Sequence, residues 1–265
     1  MIIIGERINT SRESVSKAVR EKDASFIIKE AKRQAEAGAN FIDLNCGTLL
    51  DNEPDAMAWL VETVQSDLEL SLCIDSPNAA AIEAGLKVCR KPALINSITG
   101  EKKRLEEIAP LANKYNASLI ALTMDDKGVP STAQDRVRIA KSLLDSLSKF
   151  EINAERIYFD PIVQPISSGP DQGAEFLKAI RLIKELPGAK VVCGLSNISY
   201  GLPNRRLINS TLLSMALLAG LDAAILDPLD KSIISNLRAS EALLGEDEYC
   251  MNYIKSFREN KLISV

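Results

Sequence analysis

The sequence contains no histidine. No Ser-His-Asp triad, His-ligated metal or histidine general base can operate in such a chain. Proton chemistry falls to carboxylates, Cys, Lys, Tyr, amides or water. A basic footprint for nucleic acid is missing too, because the net charge is −4. The five cysteines form no CxxC pair, and Cys46, Cys73 and Cys193 lie in or at the end of apolar runs. Reduced, buried thiols of a cytoplasmic protein are expected. The opening run before Glu6 is too short for a signal peptide. The uncharged stretch from Leu207 to Leu221 falls short of the roughly 20 residues of a membrane span and is predicted as a buried helix.

What is present is a repeated unit: a short apolar run, a polar residue at its end, a loop, then a helical pattern. The runs are Ile2 to Ile4, Phe41 to Gly47, Ser71 to Ser76, Pro92 to Ser97, Ser118 to Met124, Ile157 to Asp160, Lys190 to Asn197 and Ala223 to Pro228. They are continuous rather than alternating, as strands buried on both faces are. Helical segments between them supply the crossovers that parallel strands need: Ser25–Ala37, Pro54–Val64, Asn78–Val88, Lys102–Tyr115, Ser131–Leu147 and Lys231–Leu244. Eight units in 265 residues without a linker argue for one (β/α)8 barrel over residues 1–265, a fold that commonly takes about 250 residues. The alternative, a doubly wound open sheet, would want a Gly-rich first turn, and Gly5-Glu6-Arg7 is not one.

Barrel active sites lie at the C-terminal ends of the strands. Here those ends read Glu6 and Asn9, Asp43 and Asn45, Asp75, Asn96, Thr123, Asp160, Asn197 and Asp227, with Arg7 and Arg205 as the nearby cations. Each polar end has a bland alternative as a helix N-cap. A ring of carboxylates and amides suits no phosphate, which wants Arg, Lys or a Gly-rich nest. It suits a neutral heterocycle rich in N–H donors, such as a 2-aminopyrimidinone, and would reject ligands lacking that edge. Trp59 is expected in the outer helical ring. Asp125-Asp126 reads as a solvated turn, with no metal site expected.

Gly5-Glu6-Arg7-Ile8-Asn9, Asp43-Leu44-Asn45, Cys73-Ile74-Asp75-Ser76, Ile82 to Lys87, Ile95-Asn96-Ser97, Gly194-Leu195-Ser196-Asn197, Asn204-Arg205 and Leu207-Ile208-Asn209 resemble the methyltetrahydrofolate:corrinoid protein methyltransferases. Those are relatives of the folate domain of cobalamin-dependent methionine synthase and, more distantly, of dihydropteroate synthase. The resemblance covers essentially the whole chain. It implies a pterin-binding TIM barrel, usually a homodimer, that moves a methyl group between N5 of tetrahydrofolate and the cobalt of a corrinoid (cobalamin) carried by a partner protein. Matching motifs assign Asp75, Asn96 and Asp160 to the pterin, Asn197 to N5, and Asp43 and Asn45 to the pterin side of the pocket, with Arg205 nearby. Asn197 is then the residue expected to carry the chemistry. The lack of histidine excludes a corrinoid held in this chain through a histidine lower ligand.

The chain departs from the acetogen pattern at Thr10, Tyr200 and the loop Gln164 to Pro170. Two partners stay open: a corrinoid iron–sulfur protein, or the small corrinoid protein of a demethylase system, in which methyl flows from methyl-Co(III) to tetrahydrofolate. Two other activities also stay open. A dihydropteroate synthase would place basic residues after late strands, and Gly194 to Asn197 and Leu226-Asp227-Pro228 offer none. A non-catalytic folate- or corrinoid-binding module would keep the barrel without transfer.

Overall fold

A computed structural model describes residues 1–49 and 52–263. In chain order the elements are β1 Ile2–Asn9, α1 Glu13–Arg20, α2 Ala24–Glu36, β2 Phe41–Asn45, α3 Glu53–Gln65, β3 Ser71–Asp75, α4 Ala79–Val88, β4 Leu94–Thr99, α5 Lys102–Lys114, β5 Ser118–Leu122, α6 Ala133–Ser148, β6 Ile157–Asp160, α7 Gln172–Lys184, β7 Lys190–Gly194, α8 Arg205–Ala219, β8 Ala223–Leu226, α9 Lys231–Leu243 and α10 Met251–Arg258. The strands pair in sequence order, all parallel, and β8 closes on β1. The barrel expected from the repeat is the barrel observed, and the open sheet is set aside.

Two apolar layers follow from the period-2 alternation of strand side chains. Outward residues such as Ile42, Ile74, Ile95, Leu119 and Phe159 join the helices in the larger core. Inward residues Ile4, Cys73, Leu94, Ile120, Tyr158, Val192 and Ala223 form a second, smaller cluster inside the barrel. Two residues further along each strand, the same inward face carries Glu6, Asp75, Asn96, Leu122, Asp160, Gly194 and Ile225. The register agrees, with Cys73 beside Leu94 and Asp75 beside Asn96. The barrel interior is thus apolar below and polar above. One polar residue breaks the lower layer: Asp43, in register with Cys73.

The helices differ from expectation in three places. The segment after β1 forms α1, whose Val15, Ala18 and Val19 are buried although no repeat unit announced it. A further helix, α10, packs along α9 beyond the last predicted segment, Lys231–Leu244. Helix α8, uncharged from Leu207 on, is not buried all round: Leu207, Met215 and Leu218 are exposed, while Leu213 and Ala216 face the core. Its lack of charge marks an apolar outer stripe. Trp59 lies partly buried in the outer ring, with the Lys22 ammonium 4.8 Å from its ring centroid. Among the described residues no helix is long and apolar enough to cross a membrane.

Helix α4 holds β3 in place through a glycine. A Cβ on Gly85 would lie 3.0 Å from Met57 Cγ and 3.2 Å from Ile74 Cγ2, closer than packed side chains tolerate. Gly85→Val is expected to destabilise the fold by about 1–3 kcal/mol through overpacking. A thermal melt reads the loss, and an unchanged melting temperature would contradict this account of the α4–β3 contact.

Candidate active site at the open end of the barrel

The polar upper layer opens into a cavity of about 430 Å³, within the roughly 300–1,000 Å³ range of small-molecule sites. Glu6, Asp43, Asp75, Asn96, Asp160 and Asn197 line it, together with Asn9, Ser97 and Ser196. Its apolar wall comes from Leu122, Met124, Val129, Ile162 and Val163. Five of the seven residues predicted for the site therefore share one cavity: Asp43, Asp75, Asn96, Asp160 and Asn197.

The other two stand behind it. Asn45 donates from Nδ2 to Asp75 Oδ2 at 2.8 Å and accepts from the Gly47 N–H at 3.1 Å. It orients the carboxylate rather than facing the cavity. Arg205 donates to Ser196 O at 2.7 Å and to Ser199 Oγ at 3.0 Å, which pins the single 3-10 turn Leu195–Ser199 that carries Asn197. It lines a neighbouring depression with Glu6, Asp227 and Asp230. Asp227 and Arg7 are also withdrawn from the cavity: Arg7 binds Glu30 and reaches Asp227 Oδ2 at 2.6 Å. Thr123 is fully buried and its hydroxyl has no protein partner.

The N-cap alternative is corrected by the geometry. Side-chain caps come from Asp23, Asn78, Thr132 and Asp230, none of them in the ring. Several ring residues instead close tight turns at the strand ends. Asn9 accepts from Ser11 N, Asn45 from Gly47 N, Asp160 from Ile162 N and Asp227 from Leu229 N. One oxygen builds the loop, and in Asn45 and Asp227 the other end of the group serves a second partner, Asp75 for Asn45 and Arg7 for Asp227. Asp75 and Asn96 make no such turn, and both line the cavity.

Burial sets the electrostatics. Asp43, on the apolar layer, is pushed well above the usual carboxylate range by burial and then by the neighbouring Asp75 charge; the Cys73 thiol and the Asn96 amide pull the other way. Its Oδ1 has no hydrogen-bond partner in the protein, so a donor from the cavity would satisfy it. Burial raises Asp75 to about 6, and the Glu53 charge adds to this; Asn45 and Arg104 oppose it. Burial raises Asp160 to about 7 against the backbone N–H groups of Ile162 and Gly194 and the Arg136 charge. Glu6 is raised by burial and by Asp227. Four carboxyls around one cavity, each raised above its ordinary range chiefly by burial, favour a ligand that offers N–H donors. Such a ligand stabilises the charged form in place of water.

The thiols nearby are inert. All five cysteines are free. Burial pushes Cys46 up to about 12, and drives Cys73 and Cys193, next to Asp43 and Asp160, well above the ordinary thiol range. Cys89 is only partly buried and Cys250 is exposed, so burial of all the thiols does not hold. The Asp125-Asp126 turn is local: Asp125 accepts from Lys127 N at 3.0 Å. Among the described residues no cluster of acidic or thiol groups is placed to hold a metal ion.

Sequence reasoning missed the apolar wall. Met124, Val129, Ile162 and Val163 come from loops after β5 and β6, where no periodicity marks an inward face; Pro161-Ile162-Val163, an apolar triplet after a strand-end Asp, was the available signal. It also missed Arg136 on α6, which is fully buried, donates from Nε to Pro130 O at 3.2 Å and leaves both terminal nitrogens without a protein partner.

The chain resembles known proteins in sequence and in fold. Residues 5–227 match the family described as pterin binding enzyme. The chain is 37% identical over 265 residues to a methylcorrinoid:tetrahydrofolate methyltransferase from Eubacterium limosum, covering 99% of this chain and 98% of that protein. It is 30% identical over 240 residues to methionine synthase of Mycobacterium tuberculosis, covering 85% of this chain but 20% of that protein. Among solved structures, a dihydropteroate synthase from Clostridium difficile superposes with a TM-score of 0.75 at 19% identity, covering 92% of this chain and 96% of that one. The dihydropteroate synthase of Thermus thermophilus gives 0.69 at 17% identity, covering 91% of this chain and 94% of that one.

The raised carboxyls carry a stability consequence. The fold holds Asp75 and Asp160 protonated at pH values where the unfolded chain, near 3.8, has released the protons. The unfolding free energy of the ligand-free protein therefore falls as pH rises from about 4 to about 7. Asp160→Asn is expected to stabilise the ligand-free protein at pH 8 by on the order of 2 kcal/mol, and by little at pH 4. Denaturant melts at the two pH values measure it; an equal effect at both would contradict the burial assignment.

Proposed function

Because the chain belongs to the family of pterin-binding enzymes, we propose that it is a methyltransferase acting between a corrinoid protein and tetrahydrofolate, working from methylcorrinoid toward N5 of tetrahydrofolate. The single observation that carries the reading is the grouping of Asp75, Asn96, Asp160 and Asn197 around one cavity, in a chain 37% identical over its length to a protein named for that reaction. The relative's name supports the direction, and the direction favours a demethylase-type corrinoid protein as partner.

The pterin's 2-aminopyrimidinone edge offers a ring N–H and an exocyclic amine. Asp75 and Asp160 accept from such an edge, and Asn96 serves its carbonyl or ring nitrogens through an amide that both donates and accepts. Asp43 forms the floor and accepts one further donor. The apolar wall of Leu122, Met124, Ile162 and Val163 packs against the ring face.

At N5 the lone pair attacks the cobalt-bound methyl carbon. The N–CH3 bond forms, the Co–C bond breaks with its electron pair left on cobalt as Co(I), and N5 releases its proton. Asn197 suits this step, since its carbonyl accepts the N5–H as charge develops and its NH2 donates to N5 in the reverse direction. An amide aimed at the changing atom stabilises the transition state without storing the proton. The released proton passes to solvent at the open end of the barrel, since Asp75 and Asp160 are engaged at the pyrimidine edge. The close approach of Asn197 depends on Gly194, where a Cβ would lie 3.0 Å from Asn197 Nδ2.

Assembly follows the same reading. We propose a cytoplasmic homodimer, for which the exposed stripe of Leu207, Met215 and Leu218 on α8 supplies an apolar face.

The test is single-turnover stopped flow. Methylated corrinoid protein mixed with the enzyme and tetrahydrofolate should show conversion of the methyl-Co(III) spectrum to Co(I). Binding of tetrahydrofolate without that conversion would favour a non-catalytic module. Asn197→Ala is expected to slow the conversion by about 10²–10³-fold, with folate affinity altered far less; an unchanged rate would remove Asn197 from the chemistry. Asp75→Asn should weaken folate binding first, and intact affinity would count against its placement at the pterin edge.

A further inference from the structure

Asp75 ends β3, whereas Asn96 lies beside it within β4, which runs on through Ser97 to Thr99. One guanidinium joins the loop after β3 to the upper part of β4. Arg104, in the first turn of α5, donates from Nη2 to Ser76 O at 2.8 Å and to Ser97 O at 2.7 Å. Its Nε gives a second bond to Ser97 O at 2.9 Å, and Nη1 reaches Pro77 O at 2.7 Å. The residue after Asp75 and the residue after Asn96 thus share one donor group. A single backbone bond, Ser76 N to Asn96 O at 3.0 Å, joins them otherwise. On the other side of Ser76, its hydroxyl donates to the buried Glu53 at 2.6 Å, so the guanidinium completes a fixed frame around the end of β3.

We propose that Arg104 is a positioning residue that sets the spacing of Asp75 and Asn96, so that both reach the same edge of the bound heterocycle; this rests on the pterin-site reading above. The geometry requires arginine. Serving three carbonyl oxygens at fixed angles needs the rigid, planar fork of a guanidinium, which an ammonium on a flexible stem does not provide. The charge has a second effect. It lies close enough to Asp75 to favour the ionised carboxylate that accepts N–H donors, against the burial that opposes it.

A built-in control exists at the other end of the barrel. Arg156 also binds only carbonyls, Ala112 O at 2.7 Å and Ala117 O at 2.6 Å, at the entry to β5 and away from the cavity. A purely structural carbonyl clamp loses stability when removed but leaves the site alone.

The experiment compares Arg104→Ala, Arg104→Lys and Arg156→Ala in the full chain. It uses tetrahydrofolate titrations across pH 5–8, single-turnover rates at saturating tetrahydrofolate and thermal melts. Arg104→Ala is expected to weaken tetrahydrofolate binding by about ten-fold or more, to leave the saturated single-turnover rate within about three-fold, and to move the pH midpoint of binding upward. Arg104→Lys should restore the midpoint but not the affinity, and millimolar guanidinium should partly restore affinity to Arg104→Ala. Arg156→Ala should lower the melting temperature with affinity unchanged. Unchanged affinity in Arg104→Lys overturns the proposal even where Arg104→Ala fails to fold, as does an equal loss of affinity in Arg156→Ala. A wild-type protein that binds no tetrahydrofolate fails differently: it overturns the pterin-site reading itself, whatever the variants show.

Discussion

The site depends on the cost of placing carboxylates inside a closed barrel. The strands turn every second side chain inward, and the lower inward layer is apolar. Asp43 sits on that layer and Asp75 and Asp160 sit just above it, so each gives up much of its hydration. Their charge is tolerated only where an amide, a backbone N–H or a guanidinium faces them. Asn45 and Arg104 serve Asp75 in this way, and Ile162 N–H and Arg136 serve Asp160. Much of the surrounding structure, including the tight turns after β2 and β6, supports those few groups.

This constraint explains what was legible in the sequence. The eight continuous runs with polar ends announced both the barrel and the ring, because strand burial and strand-end polarity are local signals. The five expected site residues that share the cavity all stand in that ring, but the ring also holds Asn45, Thr123 and Asp227, and the family resemblance singled out the five. Asn45 and Arg205 act instead through Asp75 and through the turn carrying Asn197. Partner choice of this kind is set by side-chain direction, which spacing does not reveal. Arg104 lay outside the pattern altogether. It reads as one more charge in Lys102-Lys103-Arg104, and only the approach of the loop after β3 to the upper part of β4 gives it four bonds to carbonyls. Helix α8 misled for a related reason, since absence of charge says that a surface is apolar and not what covers it.

The likeness to dihydropteroate synthases, at 19% identity and a TM-score of 0.75, speaks for the fold alone. The barrel is a platform on which chemistry is set at the strand ends. Here the late strand ends present Gly194 to Asn197 and Asp227, and the nearby guanidiniums of Arg7 and Arg205 are already committed to Glu30, Asp227 and backbone oxygens. That arrangement leaves the cavity without a free cation for a pyrophosphate among its lining residues.

The buried thiols next to the carboxylates acquire meaning from the reaction. Sulfur attacks carbon as a thiolate, and a cavity built to pass an electrophilic methyl group is a hazardous place for one. Cys73 touches Asp43, Cys193 neighbours Asp160, and Cys46 lies behind Asn45; all three are held protonated by burial and by the negative charge beside them. On the proposed reading, the carboxylates that would hold the heterocycle also keep the thiols beside them protonated, and the sulfur nearest the transferred methyl group is withheld from it.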